Sequence, residues 1–311
     1  MNKDKYINKL KNEINKKYNL NIDRVTSSTR GVDGETWKIY SGKKKYFVKI
    51  AYYSSHKKRY INSINTLNYL NKHKIKNINK VINTISGENY IDFNGGLLAI
   101  YSFVNGSIDY NYPYDKIMEL LIPIYKIEDN LRGFTKEDYN ISSFLERFND
   151  TIELSKTNND CYSVVSKYND LLANYIDKLE YYYSKIDKNR KMYITHGDAC
   201  VNVMRTKNKD TLIDWDDTLV APIERDCWFF ADNDKKINNI NNYLKNNNID
   251  YVLSYDLLAY YAYKNALQYL IEAISKYFET NNKELLDEVE TILNGWVRKK
   301  IKLISEQLNN Q

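Results

Sequence analysis

Apolar positions in the first hundred residues switch between two spacings. Residues 3–19 set Ile7, Leu10 and Ile14 on one stripe, the 3.6-residue repeat of a helix with one buried face. A strand-like section follows, from Arg24 to Thr29, Thr36 to Tyr40 and Lys45 to Ile50. Ser41-Gly42 between the last two runs marks a hairpin. Residues 57–73 return to helical spacing through Ile61, Ile64, Leu67 and Leu70. Two further strands are expected at Lys80–Ser86 and Leu97–Val104, with Gly95-Gly96 as a turn. From about residue 113 long helices dominate, at 113–127, 140–154, 161–186, 253–278 and 281–308. The strand signal returns only at Met192–Thr195, Val203–Arg205 and Thr211–Ile213. A strand-rich first third followed by a helical remainder predicts an α+β chain of two lobes, with Asn105-Gly106-Ser107 as the linker.

Composition alters this picture little. An apolar share of 43% and a charged share of 28% are ordinary for a soluble globular protein. No run approaches the ~18 apolar residues of a membrane span. The N-terminus leads into an amphipathic pattern and not a signal-peptide core. Cys161, Cys200 and Cys227 are scattered without metal-ligand spacing, so a reduced, cytoplasmic setting is expected. Charge is less even. Residues 1–100 hold 20 Lys and Arg against 7 Asp and Glu, while residues 101–311 are net −7. A cationic first part suits a polyphosphate and an acidic remainder suits a cationic acceptor. The same bias also follows from a chain rich in Lys, Asn, Ile and Tyr. Nucleic acid is not an expected partner, because that reading leaves the acidic motifs unused.

Those motifs are His196-Gly197-Asp198-Ala199-Cys200-Val201-Asn202 and Ile213-Asp214-Trp215-Asp216, each beside a strand-like apolar run. Asp and Asn are common in turns, so either motif alone would say little. Together they supply a set that phosphoryl transfer needs: one carboxylate to orient the attacking hydroxyl, and an Asn and an Asp to hold magnesium on the phosphates. No Gly-x-x-x-x-Gly-Lys-Ser/Thr phosphate loop is present, which argues against the P-loop class.

With these segments, Tyr46-Phe47-Val48-Lys49, Tyr101-Ser102-Phe103-Val104-Asn105-Gly106 and Ala221-Pro222-Ile223-Glu224-Arg225-Asp226, the chain resembles the aminoglycoside phosphotransferase family. These are small-molecule kinases on the protein-kinase fold. The resemblance implies a bilobal fold, with a small antiparallel-sheet lobe over 1–104 and a larger, mainly helical lobe over 105–311. It implies Asp198 as catalytic base, and His196 as a loop-fixing residue in preference to a base. Asn202 and Asp214 are the implied magnesium ligands, with Asp216 in support of the metal shell or a basic acceptor. Lys49 is the implied grip on the α- and β-phosphates. Gly31 and Gly34 belong to a loop over the phosphates or to a plain hairpin turn. Ser102, Phe103 and Val104 would offer backbone groups to the purine.

Two departures accompany the resemblance. Only three residues separate Asp198 from Asn202, where family members usually have four. No Asp or Glu occurs between Lys49 and Glu88, so the helix carboxylate that usually faces the lysine is missing; Asn62, Asn65, Glu88 or the phosphates alone would have to serve. Asp217 is expected at the surface, and Glu224-Arg225-Asp226 as a salt-bridged cap on a helix beginning near Cys227-Trp228. Tyr261, Tyr269 and Glu272 could line an acceptor pocket, although core packing is the simpler expectation for so Tyr-rich a chain.

The expected activity is transfer of the γ-phosphate of ATP or GTP, with Mg2+, to a hydroxyl of a small polar molecule. An aminoglycoside or aminocyclitol antibiotic is the first candidate acceptor. The alternatives are a metabolite kinase of the choline, homoserine or methylthioribose type, or a nucleotide-binding protein with impaired catalysis.

Overall fold

The computed structural model describes residues 3–27, 34–127, 131–207 and 209–309. Its first elements are α1 (Lys3–Tyr18), β1 (Arg24–Ser27), β2 (Glu35–Ser41), β3 (Lys44–Ala51) and α2 (Ser54–Lys72). Then come β4 (Val81–Ile82), β5 (Ile91–Phe93), β6 (Gly96–Ser102), β7 (Ser107–Ile108) and α3 (Tyr114–Tyr125). The middle of the chain holds α4 (Ile141–Ser155), α5 (Asn159–Val165), α6 (Asn169–Ser184), β8 (Tyr193–Thr195), β9 (Val203–Arg205), β10 (Asp210–Leu212) and β11 (Leu219–Ala221). The last part holds α7 (Glu224–Cys227), α8 (Asp234–Asn246), α9 (Tyr255–Thr280), α10 (Glu284–Asn294) and α11 (Trp296–Asn309). The fold is therefore α+β. The chain divides into two compact units: residues 1–135 with 196–220, and residues 136–195 with 221–311.

In the first unit β1 to β6 form one antiparallel sheet, ordered β1-β2-β3-β6-β4 with β5 on β6. The β2–β3 hairpin turns at Gly42, whose φ of 56° suits glycine. Its register sets Trp37 opposite Val48 and Thr36 opposite Lys49. Leu10 and Ile14 of α1 pack with Ile39, Val48, Ile50, Leu98 and Ile100 into one core. Because successive side chains of a strand face opposite ways, burying Val48 and Ile50 on the α1 side turns Lys49 to the other face. The 105–107 segment is not a plain linker. Ser107 and Ile108 pair with Arg205 and Met204, adding β7 to the β9–β10 hairpin. Gly106 makes that approach feasible, since a Cβ there would lie 2.4 Å from the Arg205 carbonyl oxygen.

The second unit is helical, with α9 packed against α4, α6, α10 and α11. Ser254 caps the start of α9 by accepting from the Leu257 N–H, and Asn281 ends it in the left-handed conformation at φ 53°. The predicted helix 161–186 is instead three pieces. Asn158 caps α5, and a 3-10 turn over Ser166–Tyr168 separates α5 from α6. Gly295 likewise breaks the predicted helix 281–308 into α10 and α11. The strand expected over Lys80–Ser86 contracts to β4, because the chain turns at Thr84, where its N–H donates to the Glu88 carbonyl. Helix α8 has no counterpart in the sequence expectations. Its Asn content masked a buried stripe of Ile237, Ile240 and Leu244.

Asp232 is a buried acid of this unit, bonded by Lys236 at 2.8 Å and by Lys300. Burial opposes its charge, but the two ammonium groups win and hold its carboxyl below the usual range. The stability it contributes is thus present above the ordinary Asp range near pH 4 and disappears as pH falls through the depressed value. Asp232→Asn is expected to flatten that acid limb in urea melts taken between about pH 2 and 5, leaving a smaller slope than wild type.

Candidate active site

Lys49 leaves β3 on the face away from α1 and ends between two carboxylates. Its Nζ donates to Asp214 Oδ1 at 2.6 Å and to Asp216 Oδ2 at 2.7 Å. Only 12% of the lysine side chain is exposed, against 48% for Asp214 and 13% for Asp216. Burial works against the ammonium, yet Asp216 and Asp214 outweigh it and hold the Lys49 pKa well above its usual value. Burial also opposes the Asp214 charge, but Lys49 keeps that carboxyl below the usual range. Asp216, more enclosed and repelled by Asp214, is pushed up to about 6 despite Lys49. Two acids sharing one cation have separated, with the readier charge on the more exposed one.

Asp214 and Asp216 meet on Lys49 through a turn, not along an extended run. Asp214 stands at φ 62°, in the left-handed region that Asp and Asn tolerate best among residues with a Cβ. Between them Trp215 is buried, its indole N–H donating to the Leu212 carbonyl at 3.3 Å. The turn then closes from Thr218 N–H to the Trp215 carbonyl at 3.1 Å.

The other motif packs against the same turn. His196 is fully buried, with its ring 4.6 Å from that of Trp215. Nε2 lies 2.9 Å from the Ile213 carbonyl, and Nδ1 lies 3.3 Å from the Asp198 amide nitrogen. A carbonyl only accepts and an amide N–H only donates, so these two contacts suit the tautomer that donates from Nε2 and accepts at Nδ1. Gly197, at φ 90°, turns the chain between the two residues. The short loop is then taken up by one 3-10 turn over Ala199–Val201, which brings Asn202 back to Asp198. Asn202 Nδ2 donates to Asp198 Oδ2 at 2.8 Å and to the Asp198 carbonyl at 2.9 Å. The Ile213 N–H donates to the Asn202 carbonyl at 3.0 Å. Ile213 therefore takes His196 at its carbonyl and Asn202 at its N–H, fastening both ends of the 196–202 loop directly before Asp214.

Helix α2 meets the Asp214 turn with no carboxylate of its own. Arg59 donates to Asp217 at 2.6 Å, so Asp217 is exposed but paired. Asn62 donates to the Thr218 carbonyl at 2.6 Å. Neither contact was predicted, because residues about 160 apart leave no periodic signal. The ring of Tyr60 lies 5.3 Å from Lys49 Nζ. The other suggested stand-ins for the helix acid lie elsewhere. Asn65 is exposed, and Glu88 accepts from Ser86 Oγ at 3.2 Å.

The remaining expected residues are more dispersed. Ser102 ends β6, exchanging bonds with Lys80: its N–H donates to the Lys80 carbonyl and its Oγ accepts from the Lys80 N–H. Phe103 and Val104 follow, half-buried. At Gly34 a Cβ would stand 2.4 Å from the Ile50 carbonyl oxygen, which accounts for glycine there. Gly31 lies outside the described residues. Glu224 and Arg225 sit inside the short helix α7 rather than capping a helix at Cys227. Glu224 accepts from Arg190 at 2.7 Å and from the Ser254 N–H at 2.6 Å, while Arg225 donates to Thr195 Oγ1 at 3.0 Å. Tyr261 is core, its OH 3.5 Å from the buried Glu137, and Tyr269 packs against Trp228 and Trp296.

No family model matches the sequence, and no curated protein matches it. Solved structures do match nearly end to end. A spectinomycin phosphotransferase with ADP and spectinomycin aligns at 18% identity and TM-score 0.68, over 96% of this chain and 93% of that one. An aminoglycoside phosphotransferase from Alicyclobacillus acidocaldarius aligns at 12% identity and TM-score 0.62, over 95% and 94%. The choline kinase LicA from Streptococcus pneumoniae aligns at 14% identity and TM-score 0.61, over 96% and 98%. The chain has the fold of these protein-kinase-like phosphotransferases. Among the described residues, no helix is long and apolar enough to cross a membrane.

Proposed function

We propose that the chain is a small-molecule kinase, moving the γ-phosphate of a purine nucleoside triphosphate to a hydroxyl of a small polar acceptor. The observation that carries this reading is Ile213, whose carbonyl and N–H are bonded to His196 and Asn202, so that the loop holding Asp198 is fastened directly before Asp214. Asp198 would accept a hydrogen bond from the acceptor hydroxyl and take its proton as the oxygen attacks. Asn202 keeps that carboxylate oriented through its amide N–H. Lys49 would hold the α- and β-phosphates, and the backbone of Ser102–Val104 would meet the purine. In this reading residues 1–104 supply the nucleotide contacts and residues 105–311 the catalytic loop and the acceptor contacts.

The donor set suits magnesium. Asp214 and the side-chain oxygen of Asn202 are hard ligands, and the Asn202 N–H is already spent on Asp198. Among the described residues no cluster of three or more His, Cys, Asp or Glu could hold a metal alone. That fits an ion that shares its shell with phosphate oxygens. When bound, magnesium would offset phosphate charge; Asp214 and Asn202 are the residues proposed to hold it.

The spectinomycin and aminoglycoside phosphotransferases among the neighbours, and the net −7 charge of residues 101–311, favour a cationic antibiotic as acceptor. We place this chemistry in the cytoplasm. A panel of aminoglycosides, aminocyclitols, choline and homoserine, incubated with γ-labelled ATP or GTP and Mg2+, tests the reading. Label is expected on an aminoglycoside or aminocyclitol. Label on choline or homoserine alone would reject the antibiotic acceptor, and nucleotide binding without transfer to any acceptor would reject the kinase.

A further inference from the structure

Kinases ordinarily pair the strand lysine with a glutamate on the helix that follows it. Here residues 50–87 contain no acid at all. Helix α2 instead offers a cation, Arg59, to Asp217, and an amide, Asn62, to the Thr218 carbonyl. The charge pattern is inverted: helix and strand both carry the cations, and residues 214–217 carry all the carboxylates. We propose that Asp216 is the positioning residue that holds Lys49 for the phosphates, in place of the absent helix acid.

Exposure separates the two acids on Lys49. Asp214 is half-exposed and stands in a left-handed turn, open to an ion arriving with a nucleotide. Asp216 is as enclosed as Lys49 itself, at 13% and 12%, and its Oδ2 lies 2.7 Å from the ammonium. When Asp214 is engaged, Asp216 is the carboxylate that stays with the lysine. A buried ammonium left without a partner is strongly disfavoured, and the Tyr60 ring at 5.3 Å steadies it but does not neutralise it. The inference rests on the kinase reading, since the phosphates are what Lys49 is held for.

The test is a double-mutant cycle on the full chain, with ADP and Mg2+ affinities measured by calorimetry. Asp216→Asn keeps the shape and removes the charge. It is expected to weaken MgADP about tenfold or more in the wild-type background and by less than about twofold beside Lys49→Ala. The magnesium concentration for half-saturation, taken with ADP at the same multiple of each variant's own Kd, should not move. Tyr60→Glu supplies a carboxylate from α2 and is expected to restore affinity to Asp216→Asn, a rescue that a folding defect would not allow. Equal losses in both backgrounds, or a raised magnesium requirement, would make Asp216 a metal ligand and overturn the assignment. If the wild type binds MgADP and Asp216→Asn binds it equally well, the assignment alone fails. If the wild type binds no ADP, the kinase reading falls and takes this assignment with it.

Discussion

With Asp198→Asn, turnover is expected to fall by about 10²–10⁴-fold, the usual contribution of a positioned general base. Nucleotide affinity should stay within about twofold, because no phosphate contact is proposed for this side chain. The substitution changes little else. An asparagine at 198 can still turn its oxygen to Asn202 Nδ2, which now donates to Asp198 Oδ2 at 2.8 Å. Its backbone N–H still reaches His196 Nδ1. What it loses is an oxygen able to take a proton from the acceptor. Single-turnover kinetics beside equilibrium ADP binding separates the two quantities. Unchanged turnover would remove Asp198 from the mechanism, whereas a parallel loss of binding would mean that the loop itself had moved.

Asp214→Asn is the second large effect. Asparagine shares the tolerance of aspartate for a left-handed backbone, so the φ of 62° survives the change. Lys49 keeps Asp216 as its partner. The thermal midpoint should fall modestly, since the Lys49–Asp214 pair is lost and the Lys49–Asp216 pair remains, while turnover falls by about 10³-fold through loss of a charged metal ligand. Activity plotted against magnesium should shift to much higher concentration. Adding a chelator to the wild type should reproduce the loss, and added magnesium should reverse it. A variant with an intact magnesium profile would leave Asp214 as a structural partner of Lys49 only. Asp214→Ala is the less informative variant, because alanine is strained where aspartate is not.

Local signals in the sequence carried the antiparallel sheet. The Ser41-Gly42 turn between two β-rich runs has few alternatives, and β2 and β3 form there. Helix continuity was harder to judge, because breaks are set by single residues. Gly295 ends α10, and the Ser166–Tyr168 turn interrupts an apolar stripe that reads as continuous. Helix α8 was hidden for the opposite reason: asparagines resemble a loop until Ile237, Ile240 and Leu244 are seen to share a buried face. At the site, Asp198, Asn202 and Asp214 stood out because each follows or precedes a short apolar run. The partner of Lys49 did not. Its carboxylates lie 165 and 167 residues away, and such pairings appear only once the strand and the turn are folded.

On the Ile213 side, the joint between the catalytic loop and the Asp214 turn is made of main chain. Its carbonyl and its N–H carry the two bonds, and neither depends on the side chain at that position. Any residue except proline could keep both, so substitutions can accumulate there without moving the acids on either side. The joint is thus sensitive to sequence on the loop side only, where the carbonyl bond needs the His196 ring and the N–H bond needs only the Asn202 main chain.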